Sequence, residues 1–247
     1  MLKALIFDVD GVLVDSPHER AWGETFARLA PEWCHVHNPS AYTNAVYQAH
    51  VAGRPRLEGA SALLARLGVR DPDGERASRL AEEKQARIAR LIDEGAFAAY
   101  PDALRLVLEA RAYSVRLGAA SSSKNALRML SQVNLAEFAS AEDLPEGLLE
   151  TPWLIDAFDA SVCGREFALG KPDPAIFLAC AGELEVAPRH CVVVEDAPSG
   201  VRAAKNAGMR CIGVARHDDE AGLRQAGADR VVLDLDEFDL AAALRGA

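Results

Sequence analysis

Asp8 and Asp10 stand two residues apart at the end of a short apolar run, Ala4 to Phe7, and Gly11 follows them at once. Side chains two apart in an extended segment share a face. The two carboxylates are therefore expected side by side where a buried strand gives way to a loop. Left alone there they would repel each other and lose hydration, so something positive must stand opposite, most simply a divalent cation. A second acidic pair, Glu195 and Asp196, ends another apolar run in "CVVVEDAPSG", and two acids closing a buried strand again point to a cation. Between the two pairs lie "SSSKN", Ser121 to Asn125, and "GKPDP", Gly170 to Pro174. A hydroxyl and N–H groups over Ser121, Ser122, Ser123, Lys124 and Asn125 suit phosphate oxygens where a strand meets a helix, although serine runs are also ordinary cap material. Lys171 is a cation held between residues that restrict the backbone, and in isolation a solvated lysine in a turn reads equally well.

The elements that must position these groups change character along the chain. From residue 17 to about 97 the periodicity is helical, over Glu19 to Leu29, Ser40 to Val51, Leu57 to Leu67 and Gly74 to Ile92, with no convincing strand. A block of that length is too long for an ordinary connection and reads as an inserted domain over 16–97. After Tyr100 the chain alternates. Strands are predicted over Ser114 to Ala120, Ala160 to Cys163, His190 to Val194, Arg210 to Ala215 and Val231 to Leu233. Helices are predicted over Asp102 to Ala112, Lys124 to Val133, Asp173 to Leu184, Ser199 to Ala207, Asp219 to Ala226 and Leu240 to Arg245. Such alternation implies a parallel sheet covered on both faces, built from 1–15 and 98–247. Ligands of such sheets bind at the carboxyl ends of the strands, where the four polar stretches sit. The segment Leu135 to Phe158, with its acids at 142–146 and a predicted helix around 151–157, has no functional reading beyond a surface embellishment.

Composition narrows the classes. The chain has 247 residues, 50% of them hydrophobic, and a formal net charge of −10. That balance argues against a nucleic-acid or anionic membrane surface as partner. An acidic chain that binds an anion must concentrate its positive charge locally. Cys34, Cys163, Cys180, Cys191 and Cys211 are odd in number with no C-x-x-C spacing, which fits a reducing cytoplasm. No apolar run is long enough to cross a bilayer. His35 and His37 beside Cys34 lack the second ligand pair a zinc site needs, and neither dinucleotide nor P-loop motifs occur.

The string "DVDGVLVDS" resembles, position for position, the first motif of the haloacid dehalogenase superfamily. Ser121, Lys171 and the Glu195–Asp196 pair resemble its remaining motifs in order and spacing. The resemblance implies a Rossmann-like α/β core with helices on both faces of a parallel sheet and an inserted all-helical cap. It also implies that Asp8 attacks phosphorus and Asp10 shuttles a proton. Mg2+ would be held by Asp8, the carbonyl of Asp10 and Asp196, with Glu195 as a direct or water-mediated ligand. An acid at Asp10 is what relatives that cleave halides or phosphonates lack, so phosphate esters are implied. The helical block resembles the cap of the β-phosphoglucomutase-like subfamily: His18 and Trp22 in "SPHERAW", Arg56 in "VAGRPRLEG" and Lys84 in "EEKQ" fall near its substrate-facing positions. Arg56 and Lys84 read alternatively as solvated helix-face charges. Ala52 departs from the pattern, since the mutases carry a basic residue there.

The expected activity is Mg2+-dependent hydrolysis of small phosphate monoesters, sugar phosphates foremost, in a cytoplasmic monomer or weak homo-oligomer. A β-phosphoglucomutase-type mutase is the alternative. A phospho-regulated signalling module, which also combines a parallel sheet with acids, a hydroxyl and a lysine, is the remote one.

Overall fold

The computed structural model describes residues 1–33, 41–51, 54–144, 152–216 and 219–245. They form two compact units, Met1–Ser16 with Ala98–Ala247, and Pro17–Phe97. In chain order the first unit begins with β1 (Ala4–Phe7) and β2 (Val14–Asp15). The second holds α1 (His18–Trp33), α2 (Asn44–His50), α3 (Arg56–Arg66) and α4 (Glu75–Asp93). The first then resumes with β3 (Ala98–Ala99), α5 (Pro101–Ala112), β4 (Arg116–Ala119), α6 (Ala126–Leu130), α7 (Leu135–Ala141) and β5 (Ala160–Ser161). It ends with α8 (Ala175–Glu183), β6 (Cys191–Glu195), α9 (Pro198–Asn206), β7 (Arg210–Val214), α10 (Glu220–Gln225), β8 (Arg230–Val232) and α11 (Leu240–Arg245).

Six strands make one parallel sheet in the order β5-β4-β1-β6-β7-β8, the α/β class that the alternating pattern implies. Every residue of β1 and β6 is buried, as strands covered on both faces must be. Ile6, Val193 and Cys211 pack with Phe177 and Cys180 of α8 and Val201 and Ala204 of α9. The alternate residues Leu5, Phe7, Val192 and Val194 face the other side. From β1 the chain moves outward through β4 to β5, then returns to place β6 on the opposite side of β1. That reversal opens a crevice at the carboxyl ends of β1, β4 and β6. The register carries the motifs into it: Phe7 pairs with Ala119 and Val194, so Asp8, Ser121 and Glu195 emerge on nearly one level.

The strands are shorter than the sequence pattern suggests. The strand expected to start at Ser114 starts at Arg116, and the one expected to reach Cys163 stops at Ser161, because ladder pairing rather than apolar content sets the ends. The helix expected over Lys124 to Val133 is only Ala126–Leu130, with Asn125 at its N-cap, so residues 121–124 form a turn leading into a short helix. In the embellishment, α7 was not anticipated, and Leu154–Ala157 is a single 3-10 turn. The two-stranded ladder β2–β3 was also not anticipated; it pairs Val14 with Ala99 and Asp15 with Ala98, and Tyr100 N–H donates to the Leu13 carbonyl at 3.0 Å. Two-residue strands carry no readable period.

In the second unit Trp22, Phe26 and Leu29 of α1 pack with Leu63 and Leu64 of α3 and Leu80 of α4. Salt bridges such as Arg79–Glu32 at 2.6 Å lie on its exposed faces and add little. Cys163, Cys180, Cys191 and Cys211 are free and buried; burial pushes the Cys191 thiol up to about 11 and Cys180 up to about 12, leaving them as small apolar side chains. Cys34, His35, His37 and Ala52 lie outside the described residues. No helix among the described residues is long and apolar enough to cross a membrane.

Gly118 in β4 tests the packing of α8 on the sheet, since a Cβ there would lie 2.4 Å from Cys180 Sγ and 3.1 Å from Leu184 Cδ1. Gly118→Val should destabilise the α/β unit by about 1–3 kcal/mol, read as a lower urea midpoint with an unchanged slope.

Candidate active site

Asp8 continues β1: its N–H donates to the Val194 carbonyl at 3.0 Å, and its side chain is buried. The positive charge that the acids require is supplied in part by the chain itself. Lys171 Nζ donates to Asp8 Oδ1 at 2.5 Å and also to Glu195 Oε1. The ammonium lies 5.0 Å from the centre of the Phe177 ring, which faces it with a favourable quadrupole. Lys171 is thus not a solvated turn lysine. Burial alone would lower its pKa, but Asp8 and Glu195 together outweigh burial and hold it above the ordinary lysine range.

Glu195 is almost fully enclosed, at 1% exposure. Its Oε1 accepts from Lys171 and its Oε2 from the Ala197 N–H at 2.9 Å, at the N-cap of α9, where an anion is favoured. Gly200 makes room for it, because a Cβ there would fall 1.7 Å from Oε1. Both oxygens therefore have protein partners. Asp196 lies against the backbone of Gly11, which adopts φ +82° and whose Cβ, if present, would stand 2.0 Å from Asp196 Oδ2. Only glycine tolerates both the left-handed backbone and that approach.

Ser121 Oγ donates to Asp10 Oδ2 at 3.3 Å and accepts from the Ser123 N–H at 3.1 Å. Asn125 N–H donates to Ser123 Oγ at 3.3 Å. The turn is thus held by its own hydroxyls, with Ser122 on its exposed side. Lys124 is exposed and paired with Glu166 at 2.8 Å. In the second unit, Lys84 is 3% exposed. Its ammonium lies 2.8 Å from His18 Nδ1 and 5.2 Å from the centre of the Trp22 ring, which removes the solvated reading. Arg56 is exposed and donates to Gln85 Oε1 at 2.7 Å.

The electrostatics of the acids favour a cation beside them. Burial raises Asp8, Lys171 opposes it, and Glu195 and Asp10 add to the rise, leaving it at about 7. Asp196 is raised well above the usual carboxylate range by burial, then by Glu195 and Asp8. Among the described residues no three His, Cys, Asp or Glu side chains are gathered as a ready metal cage. Mg2+ keeps several waters and takes one or two carboxylates plus substrate oxygens. The hard oxygen donors of Asp8 and Asp196, and the Gly11 backbone cleared of a side chain between them and Asp10, fit such an ion. Arg216, Asp102 and Tyr100, which brace the Gly11–Val12 loop, escaped the sequence reading. The available signal was an arginine immediately behind the buried run "CIGVA", two residues past the end of β7.

A family model for haloacid dehalogenase-like hydrolases matches residues 2–208. The chain belongs to that family. Protein CbbY of Cereibacter sphaeroides is 31% identical over 96% of this chain and 93% of its own length. A phosphorylated carbohydrates phosphatase of Thermotoga maritima is also 31% identical, over 94% of each chain. The crystal structure of a β-phosphoglucomutase from Pyrococcus sp. strain ST 04 superposes with TM-score 0.73 at 27% identity, covering 99% of this chain and 97% of that one. This haloacid dehalogenase-like enzyme therefore sits in the β-phosphoglucomutase-like branch.

Lys171→Met, which strands two buried carboxylates, should destabilise the metal-free hydrolase by about 3–5 kcal/mol. Adding Asp8→Asn should recover part of the loss, so a double-mutant cycle in urea would show coupling between positions 8 and 171.

Proposed function

We propose that this haloacid dehalogenase-like enzyme is a Mg2+-dependent phosphatase of small phosphate monoesters, sugar phosphates foremost, working through an aspartyl-phosphate on Asp8. The observation that carries the reading is the Lys171 ammonium shared by Asp8 and Glu195 at the strand-order reversal. A carboxylate nucleophile approaching a phosphate dianion needs positive charge fixed where the two anions meet. The resemblance between this chain and a phosphatase of phosphorylated carbohydrates supports the substrate class.

Asp8 attacks phosphorus while Lys171 stabilises the charge on the transferring group. Asp10 gives a proton to the departing oxygen, and Ser121 with the Ser122–Ser123 backbone orients the equatorial oxygens. Water, deprotonated by Asp10, then attacks phosphorus, releasing phosphate and restoring Asp8. Asp8, Asp196 and the Asp10 carbonyl would hold Mg2+, whose charge offsets the repulsion between nucleophile and phosphate. Glu195, both oxygens engaged, would act on the ion through water while fixing Lys171. Lys124 and Asn125, in the same turn, would add to the binding of the phosphate oxygens. Residues 16–97 would serve as a cap that meets the substrate through His18, Arg56 and Lys84.

The mutase reading stays in view because the chain also resembles β-phosphoglucomutases; there a sugar hydroxyl, not water, receives the phosphoryl group. Hydrolysis is favoured by Ala52, where the mutases carry a second basic residue for a bisphosphate.

A panel of phosphorylated sugars with Mg2+ tests the activity, and phosphorus NMR with β-glucose 1-phosphate and a trace of the 1,6-bisphosphate separates the two readings. Free phosphate should appear; rapid glucose 6-phosphate with little free phosphate would make the enzyme a mutase. Asp8→Asn should fold normally and lose turnover by as much as about 10⁶-fold; substantial residual activity would refute the nucleophile. Excess chelator should stop the reaction and Mg2+ restore it.

A further inference from the structure

A second buried ion pair, Arg216 with Asp102, stands beside the site without a part in the chemistry above. Their side chains are 10% and 3% exposed. Arg216 follows β7 by two residues and forks onto Asp102, Nη1 donating to Oδ2 at 2.8 Å and Nη2 to Oδ1 at 3.1 Å. The Leu235 N–H donates to the same Oδ2 at 2.7 Å, and the guanidinium stacks 3.9 Å from the centre of the Tyr100 ring. Burying such a pair is costly, and an apolar pair often serves stability as well or better. What an apolar pair could not supply is the use made of the remaining donors. Nε donates to the Gly11 carbonyl at 3.3 Å and Nη2 to the Val12 carbonyl at 3.4 Å.

Those carbonyls belong to the loop directly behind Asp10. Gly11 is held from its other side by its N–H, which donates to the Val14 carbonyl at 2.8 Å. The two contacts fix both peptide planes that meet at Gly11. One of these planes carries the Asp10 carbonyl, and the Asp196 carboxylate rests on the Gly11 backbone. A rotation at Gly11 would move the carbonyl of Asp10 and open or close the space Asp196 occupies.

We propose that Arg216, oriented by Asp102 and Tyr100, is a positioning residue for phosphoryl transfer: it locks the Gly11–Val12 backbone so that the Asp10 carbonyl and Asp196 keep their places relative to Asp8. The proposal rests on the phosphatase reading of the same site. Residues that orient ligand groups in this indirect way typically change metal affinity or activity by about 10–100-fold. Lysine cannot replace the fork.

The experiment uses the full chain and its Arg216→Met, Arg216→Lys and Asp102→Asn variants. Isothermal calorimetry measures Mg2+ binding without substrate, and steady-state kinetics on the best monoester of the panel separates kcat from KM. Arg216→Met is expected to weaken Mg2+ binding and lower kcat by about 10–100-fold, with KM changed less than threefold; Asp102→Asn should follow in the same direction with a smaller loss. A folded Arg216→Met protein with wild-type kcat and Mg2+ binding overturns the proposal, as does a loss confined to KM. If Arg216→Met fails to fold, Arg216→Lys decides: the same paired losses support positioning, whereas wild-type values or failure to fold make Arg216 merely structural. Failure of the phosphatase reading looks different, as a wild type that turns over no monoester or one whose turnover survives Asp8→Asn. The calorimetric comparison still stands in that case, and a wild type that binds no Mg2+ removes both.

Discussion

The ammonium of Lys171 sits between Asp8 and Glu195 in a part of the sheet that water scarcely reaches. Coulombic attraction is strong in such surroundings, and so is the penalty for an unpaired charge. Much of the surrounding structure follows from keeping this triad together. Gly200 clears space for Glu195, the Ala197 N–H satisfies its second oxygen, and Phe177 closes over the ammonium. The balance is incomplete, since Asp8 and Asp196 remain raised above ordinary carboxylates. A site built with surplus negative charge of this kind is prepared for a cation and, through it, for an anionic substrate. The net charge of −10 is no obstacle to a phosphate ester when the cations are concentrated in this way.

The same logic appears on a smaller scale in the helical unit. Lys84 is buried against His18 and Trp22, so its ammonium is held by neighbours and keeps little side-chain freedom. Arg56, exposed and hydrogen-bonded to Gln85, keeps more of the freedom of a long surface side chain. The two residues carry equal charge but differ in preorganisation.

Backbone rather than side-chain chemistry distinguishes the loop behind Asp10. Gly11 has positive φ, a carboxylate where its Cβ would be, and hydrogen bonds at both its N–H and its carbonyl. Such a loop has few alternative conformations. A backbone carbonyl in such a loop is fixed with its peptide and cannot rotate independently as a carboxylate can.

The sequence by itself determined the α/β class, the strand-end placement of Asp8, Asp10, Ser121, Glu195 and Asp196, and the restricted turn that carries Lys171. Buried strands, helical periodicity and turn residues are local signals, and the four motifs are contiguous strings. Only the tertiary structure decided which of these groups touch. Lys171 lies 163 positions from Asp8 and 24 from Glu195, and its reach to both depends on β6 returning to the far side of β1. The commitment of both Glu195 oxygens, the shortening of the helix that follows residues 121–125, and the β2–β3 ladder were likewise invisible, for each turns on hydrogen-bond pairing that leaves no period in the chain. Arg216 is the plainest case: it acts on residues 204 and 205 positions away. A single arginine behind a strand gains that meaning only when sheet order and register bring β7 beside the first loop.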